Sequence, residues 1–152
     1  MRWKLEQQET KLDKLFDLVQ RVEDDEEQAL LAKFLCVRTS GFVESTCRNL
    51  INEFTNGTSP IQIRSYVNRE TKYITNLRYD RVVALLNSFD SQWKSSFESQ
   101  VTEEHRTALN SIVSNRNNIS HGENDSISFL LMKDYYERVK EIVEILKKII
   151  RK

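Results

Sequence analysis

The stretch Ser114-Asn115-Arg116-Asn117-Asn118-Ile119-Ser120-His121-Gly122 crowds hydrogen-bonding side chains into one short run. Arg116 carries a permanent charge on a planar fork that suits phosphate, and His121 is the side-chain type that exchanges a proton near neutrality. The pair is sufficient equipment for metal-free RNA cleavage. The imidazole would handle the proton of the 2′-hydroxyl or of the leaving group, and the guanidinium would hold the phosphate as negative charge builds in the transition state. Five residues at about 100° each set the two side chains about 140° apart on a straight helix, so they are not i,i+4 partners. They converge if the helix unwinds near Ser120, or if a second copy of the helix faces the first and completes a composite site in a symmetric dimer. At a helix C-terminus His121 would also feel a dipole that favours imidazolium. The competing reading is an ordinary helix end, because Asn, Ser and Gly are common there and a His caps as well.

A second set of residues suits RNA rather than catalysis. Between positions 64 and 81 stand Arg64, Arg69, Lys72, Arg78 and Arg81 against Glu70 and Asp80, interleaved with Tyr66, Tyr73 and Tyr79. Cations for phosphates and rings for bases are what single-stranded RNA needs, although a solvated helix with Tyr along its margin has the same composition. His105 has no Arg five residues before it and reads as a surface or structural residue. Cys36 and Cys47 stand eleven apart. On one straight helix they share a face at about 16 Å, too far for a disulfide, and their apolar neighbours suggest buried free thiols. No Cys/His cluster of metal-binding type occurs, and neither a metal nor a cofactor is expected.

The elements that must position these groups are helices. The 152 residues include only three Gly and one Pro, where average usage gives about 18. Sandwiches, barrels and propellers need many such corners and are excluded. Apolar residues at three- and four-residue steps predict a helix over Leu5–Val22, a long one over Glu26–Phe54 that Ser40 and Gly41 would kink or break, and a strong terminal helix from Met132 to Ile150. The acidic run Glu23–Glu27 suits the start of the long helix, Asn56 and Gly57 its end, and Ser59 with Pro60 the cap and first position of the next. The middle third reads as helices over Ile61–Ile74 and Leu77–Phe89, with Asn76 as a cap between them, and a shorter piece over Asp90–Val101. Thr102 starts the helix that carries Arg116, Gly122 stops it, and Glu123–Ser128 is a polar loop. The expected fold is all-α, a bundle of about five to seven helices with long central helices in one domain over 1–152.

The Arg-x4-His-Gly motif of Arg116 to Gly122, with Asn117 after the Arg, lies near the end of the penultimate long helix and before a terminal helix rich in Tyr and aliphatics. In this the chain resembles the HEPN superfamily, whose R-x(4 to 6)-H motif marks metal-independent endoribonucleases of toxin, antiphage and RNA-processing systems. The stretch Phe34 to Phe54, with Val37-Arg38-Thr39-Ser40-Gly41-Phe42-Val43-Glu44, is similar to the earlier long helix of the RiboL-PSP-HEPN branch, where a polar residue and an acid face the same site. The resemblance implies Arg116 and His121 as the catalytic pair and Asn117 as a group positioning the phosphate or the His. Ser40 and Glu44, four apart on one helix face, become auxiliary residues. Ser120 shares a face with Arg116 and either orients it or serves as a cap.

The resemblance further implies cleavage to a 2′,3′-cyclic phosphate and a 5′-hydroxyl, a homodimer, and RNA as the partner, with an antitoxin or regulatory protein as a further one. The alternative is a catalytically silent HEPN-like dimer, a binding or adaptor module for nucleotide, RNA or protein. Charge is consistent with a local site only, since 23 Lys and Arg balance 23 Asp and Glu and argue against a uniformly basic surface. The start of the chain is charged where a secretory signal would be apolar, and no run approaches the length of a membrane helix. A cytoplasmic protein without a membrane partner is the expectation.

Overall fold

The computed structural model describes residues 2–125 and 127–151; Met1, Ser126 and Lys152, which fall in the charged start, the polar loop and the last position of the expected domain, lie outside them. Among the described residues the chain forms seven helices and no strand. These are α1 (Arg2–Gln20), α2 (Asp25–Thr58), α3 (Ile61–Thr71), α4 (Tyr79–Phe89), α5 (Ser91–Gln100), α6 (Glu103–Ser120) and α7 (Phe129–Ile150). The all-α bundle with long central helices is the fold found. No helix among the described residues is long and apolar enough to cross a membrane.

Helix α2 is the axis, in contact with α1, α3, α6 and α7. Its 34 residues reach about 50 Å. Asp24 caps its start by accepting the Glu27 N–H at 2.9 Å, and Asp25, Glu26 and Glu27 put negative charge at the positive end of the dipole. The helix runs through Ser40 and Gly41 without the break expected there, and it also passes Asn56 and Gly57, correcting the expected stop. Pro60 supplies the stop instead. A residue before Pro is pushed out of the helical region, and Ser59 is extended at φ −129° and ψ 150° while its N–H still closes on the Thr55 carbonyl at 3.0 Å. Pro60 is itself the extended cap of α3 rather than its first residue. The pair expected over 61–74 and 77–89 shortens to α3 and α4, because Asn76 takes a left-handed φ of 54° inside an extended linker.

Leu35, Cys36, Val43, Cys47 and Leu50 of α2 pack into one core with Leu12 and Phe16 of α1, Leu109 and Ile112 of α6, and Tyr136, Val139 and Val143 of α7. Each such apolar side chain contributes about 1.5–3 kcal/mol on burial. The two thiols are free and buried, each pushed up to about 12 by burial, and the Cys36 Sγ donates to the Ile112 carbonyl at 3.4 Å. They are packing groups, as their apolar neighbours predict. Polar ties fix the register of the helices. The Tyr136 hydroxyl donates to Asp13 at 2.6 Å while its ring stacks on Phe16, and Arg151 forks onto Glu53 with both contacts at 3.1 Å. His105 is structural: its Nδ1 accepts the Thr102 N–H at 3.0 Å, so its Nε2 carries the proton to Glu141 of α7 at 2.8 Å.

Thr46 is fully buried on α2 and its Oγ1 has no hydrogen-bond partner among the described residues. Val has nearly the same shape without the hydroxyl, so Thr46→Val is expected to raise the melting temperature by the equivalent of about 1 kcal/mol. A thermal melt checks this, and a fall would show that the hydroxyl is bonded in solution.

Candidate active site

Helix α6 stays helical through Ser120 and then ends in a two-bond cap. The Glu123 N–H donates to the Asn118 carbonyl at 2.8 Å and the Gly122 N–H to the Ile119 carbonyl at 3.2 Å, with Gly122 left-handed at φ 68°. This is the Schellman arrangement, which glycine adopts without steric cost. His121 is the capping residue itself and is exposed, its N–H donating to the Asn117 carbonyl at 3.0 Å. The chain beyond it is pinned to α2 by an ion pair between Lys33 and the buried Asp125 carboxylate at 3.2 Å.

Arg116 lies half-buried on the same last turns, and one of its guanidinium nitrogens donates to Asn117 Oδ1 at 3.3 Å. It is close enough to α2 to act electrostatically on Glu44 and Cys36. No hydrogen bond joins Arg116 to His121 among the described residues. With the helix intact between them, the unwinding near Ser120 does not occur. Ser120 is exposed and makes no bond to Arg116 among the described residues, and Ser40 is buried in α2 one turn from Glu44. Asn115 is buried, its amide donating to the Ser111 carbonyl at 2.8 Å.

Glu44 is the acid of this group. Burial pushes its carboxyl above the ordinary range, while the Arg116 charge and the Asn76 N–H, which donates to Glu44 Oε2 at 3.3 Å, pull it down. The α3–α4 linker is thereby tied to the α2 face beside Arg116. Asn110 of α6 fastens the linker's far end by accepting the Tyr79 N–H at 2.9 Å. Asn76, Asn110 and the Lys33–Asp125 pair are absent from the sequence reading as site supports; their partners lie far along the chain and no local spacing signals them.

The cations between 64 and 81 are spread over three elements. Arg64 is half-buried on α3 and lines a shallow cavity of about 180 Å³ with Asn52, Asn56 and Asn68. Arg69 and Lys72 are exposed at the end of α3, Arg78 caps α4 and Arg81 is exposed on α4. Of the three rings, Tyr66 and Tyr73 face solvent. Tyr79 turns inward, stacked on Phe97 and covered by Arg106 at 4.1 Å. Among the described residues, no three His, Cys, Asp or Glu side chains come together as a metal ion would need.

The sequence matches the family RiboL-PSP-HEPN over residues 4–152. No curated protein and no solved structure matches it.

Two outcomes follow for the isolated protein. Gly122→Ala meets no neighbouring atom but forces a Cβ into the left-handed region, so it should lower stability by about 1 kcal/mol, with Gly122→Asn costing less. Chemical denaturation of the three proteins measures this. A carboxyl whose pKa is raised by folding holds its proton more tightly when folded, so stability is lost as pH climbs through the raised value. Glu44→Gln is therefore expected to melt higher than wild type at neutral pH, with a shallower decline above the ordinary carboxylate range. Melting curves across mildly acid to neutral pH test the sign.

Proposed function

The chain belongs to the RiboL-PSP-HEPN family, and from that premise we propose that it is a metal-independent endoribonuclease whose Arg116 and His121 meet across the two-fold axis of a homodimer. The observation that carries this is the unbroken turn between the two residues: α6 is helical through Ser120, and five helical steps hold the side chains about 140° apart. A second copy of the helix is what remains to bring guanidinium and imidazole to one phosphate. Helix α2 offers a surface for that copy. Leu30, Phe34 and Val37, at 66%, 45% and 37% exposure, form an apolar stripe at helical spacing beside Lys33, which pins the loop following His121.

In such a site one imidazole takes the proton of the 2′-hydroxyl, and the freed oxygen attacks the adjacent phosphorus. The bond from phosphorus to the 5′-oxygen breaks, and that oxygen takes a proton from solvent water, to which the imidazolium returns its own. The products are a 2′,3′-cyclic phosphate and a 5′-hydroxyl. Arg116 faces the extra negative charge on the phosphoryl oxygens, and Asn117, which already holds its guanidinium at 3.3 Å, keeps the fork aimed. Glu44 anchors the other side of Arg116 electrostatically, with Ser40 beside it on α2. RNA is the partner, one antitoxin or regulatory protein would restrain the activity in the cell, and the cytoplasm is where such RNA is met.

Purified protein is expected to cut RNA in the presence of EDTA, with Arg116→Ala and His121→Ala each lowering the rate at least about 100-fold. Mixing the two inactive variants should restore cutting, because a mixed dimer regains one Arg and one His facing each other. Full activity of His121→Ala would refute the assignment, and inactive mixtures of a proven dimer would place both groups in one protomer.

A further inference from the structure

The net charge of zero conceals an uneven use of cations. Lys140, Lys147, Arg138 and Arg151 are all consumed in ion pairs along α7. Arg64, Arg69, Lys72, Arg78 and Arg81 form no ion pair among the described residues. Among the described residues, helix α3 buries only Thr71 and packs on α2 alone. It is therefore poorly explained as a core element. Beside the exposed Ile61 and Ile63, two rings face outward on α3 and just past its end, each with a cation near it: Tyr66 with Arg69 at 5.8 Å, and Tyr73, two residues beyond Thr71, with Lys72 at 5.4 Å. The rings are 56% and 78% exposed. They stand seven residues apart, Tyr66 within α3 and Tyr73 in the turn just past it, which leaves room for separate nucleotides.

This array is continuous with the candidate active site. Asn76, three residues past Tyr73, is bonded to Glu44, and Glu44 lies within the electrostatic reach of Arg116. Three extended residues span at most about 11 Å. We propose that Tyr73 with Lys72 is a stacking subsite for a base of single-stranded RNA flanking the phosphate held at Arg116, and that Tyr66 with Arg69 extends the track outward along α3. The proposal rests on the ribonuclease reading for its substrate. A ring with a cation on one face offers its other face to any base, so the subsite is tolerant of sequence, and the unpaired cations follow the phosphates. Tyr79, buried against Phe97, takes no part.

The test uses full-length His121→Ala protein, so that RNA is bound and not cut, with a fluorescein-labelled single-stranded oligoribonucleotide of about a dozen nucleotides read by anisotropy. Adding Tyr73→Ala should weaken binding about tenfold without shifting the melting temperature, while Tyr73→Phe and Tyr73→Trp keep it. Lys72→Ala should lower the dependence of log Kd on log salt by about one. Unchanged binding in Tyr73→Ala, or failure of Phe to restore it, overturns the subsite. If RNA binding is absent and a protein partner instead requires Tyr73, the surface is a protein dock and the proposal falls. The ribonuclease reading is scored separately by wild-type cleavage. Cutting that persists with no dependence on Tyr73 overturns the subsite alone, and Tyr73-dependent binding without any cutting overturns the ribonuclease reading alone.

Discussion

Four helices lean on α2, so its inner face must stay continuous over its whole length. Any break at Gly41 would turn the residues beyond it by a fraction of a turn and pull Val43, Cys47 and Leu50 away from the core they share with α6 and α7. At about 1.5–3 kcal/mol for each buried apolar side chain, that loss far exceeds the roughly 1 kcal/mol by which glycine disfavours a helix. The same inequality carries α2 past Asn56 and Gly57. It ends only where proline makes the next helical residue sterically costly. Helix continuity is thus imposed by tertiary packing, and the position of Glu44 relative to α6 is a consequence of it.

The candidate site sits where this rigid frame meets its less favourable local choices. Glu44 is an acid in a half-buried setting that raises its proton affinity, and Asn76 holds a left-handed backbone in order to donate to it. Asparagine tolerates that conformation better than most side chains, though at some cost. Among the described residues, Arg116 is held by one bond to its neighbour and by charge. Some charges elsewhere are held more closely, as in the fork of Arg151 on Glu53 and the bond from His105 to Glu141.

The architecture was legible in the sequence because burial in helices leaves a periodic record: the stripes Leu12, Leu15, Phe16, Val19 and Tyr136, Val139, Ile142, Val143 survive any error at their ends. The cap at Gly122 was legible for a related reason, since left-handed caps are local and glycine announces them. Asn56 and Gly57 carry the same local signal and were misread, because propensity yields where tertiary contacts keep the helix going. In the candidate site, Arg116 and His121 were singled out by type and spacing and Glu44 by position and resemblance, as candidates only. The groups that hold them were not. Asn76 meets Glu44, Asn110 meets Tyr79 and Asp125 meets Lys33 only after α2, the linker and α6 have packed, and nothing in the types of these residues distinguishes them from surface amides and acids.

The distribution of charge gives the last step. Balanced totals argue against a uniformly basic surface, but what an anionic chain meets is the local field within about 10 Å of it at ordinary salt. Acids here are spent on α1, α2 and α7, where Glu6, Glu53, Asp13 and Glu141 neutralise the cations facing them. The cations of α3, the linker and the start of α4 are left without such partners. A chain of zero net charge can therefore carry a local group of cations without ion-pair partners among the described residues, and the linker that bears part of it is tied to the α2 face on which Arg116 acts.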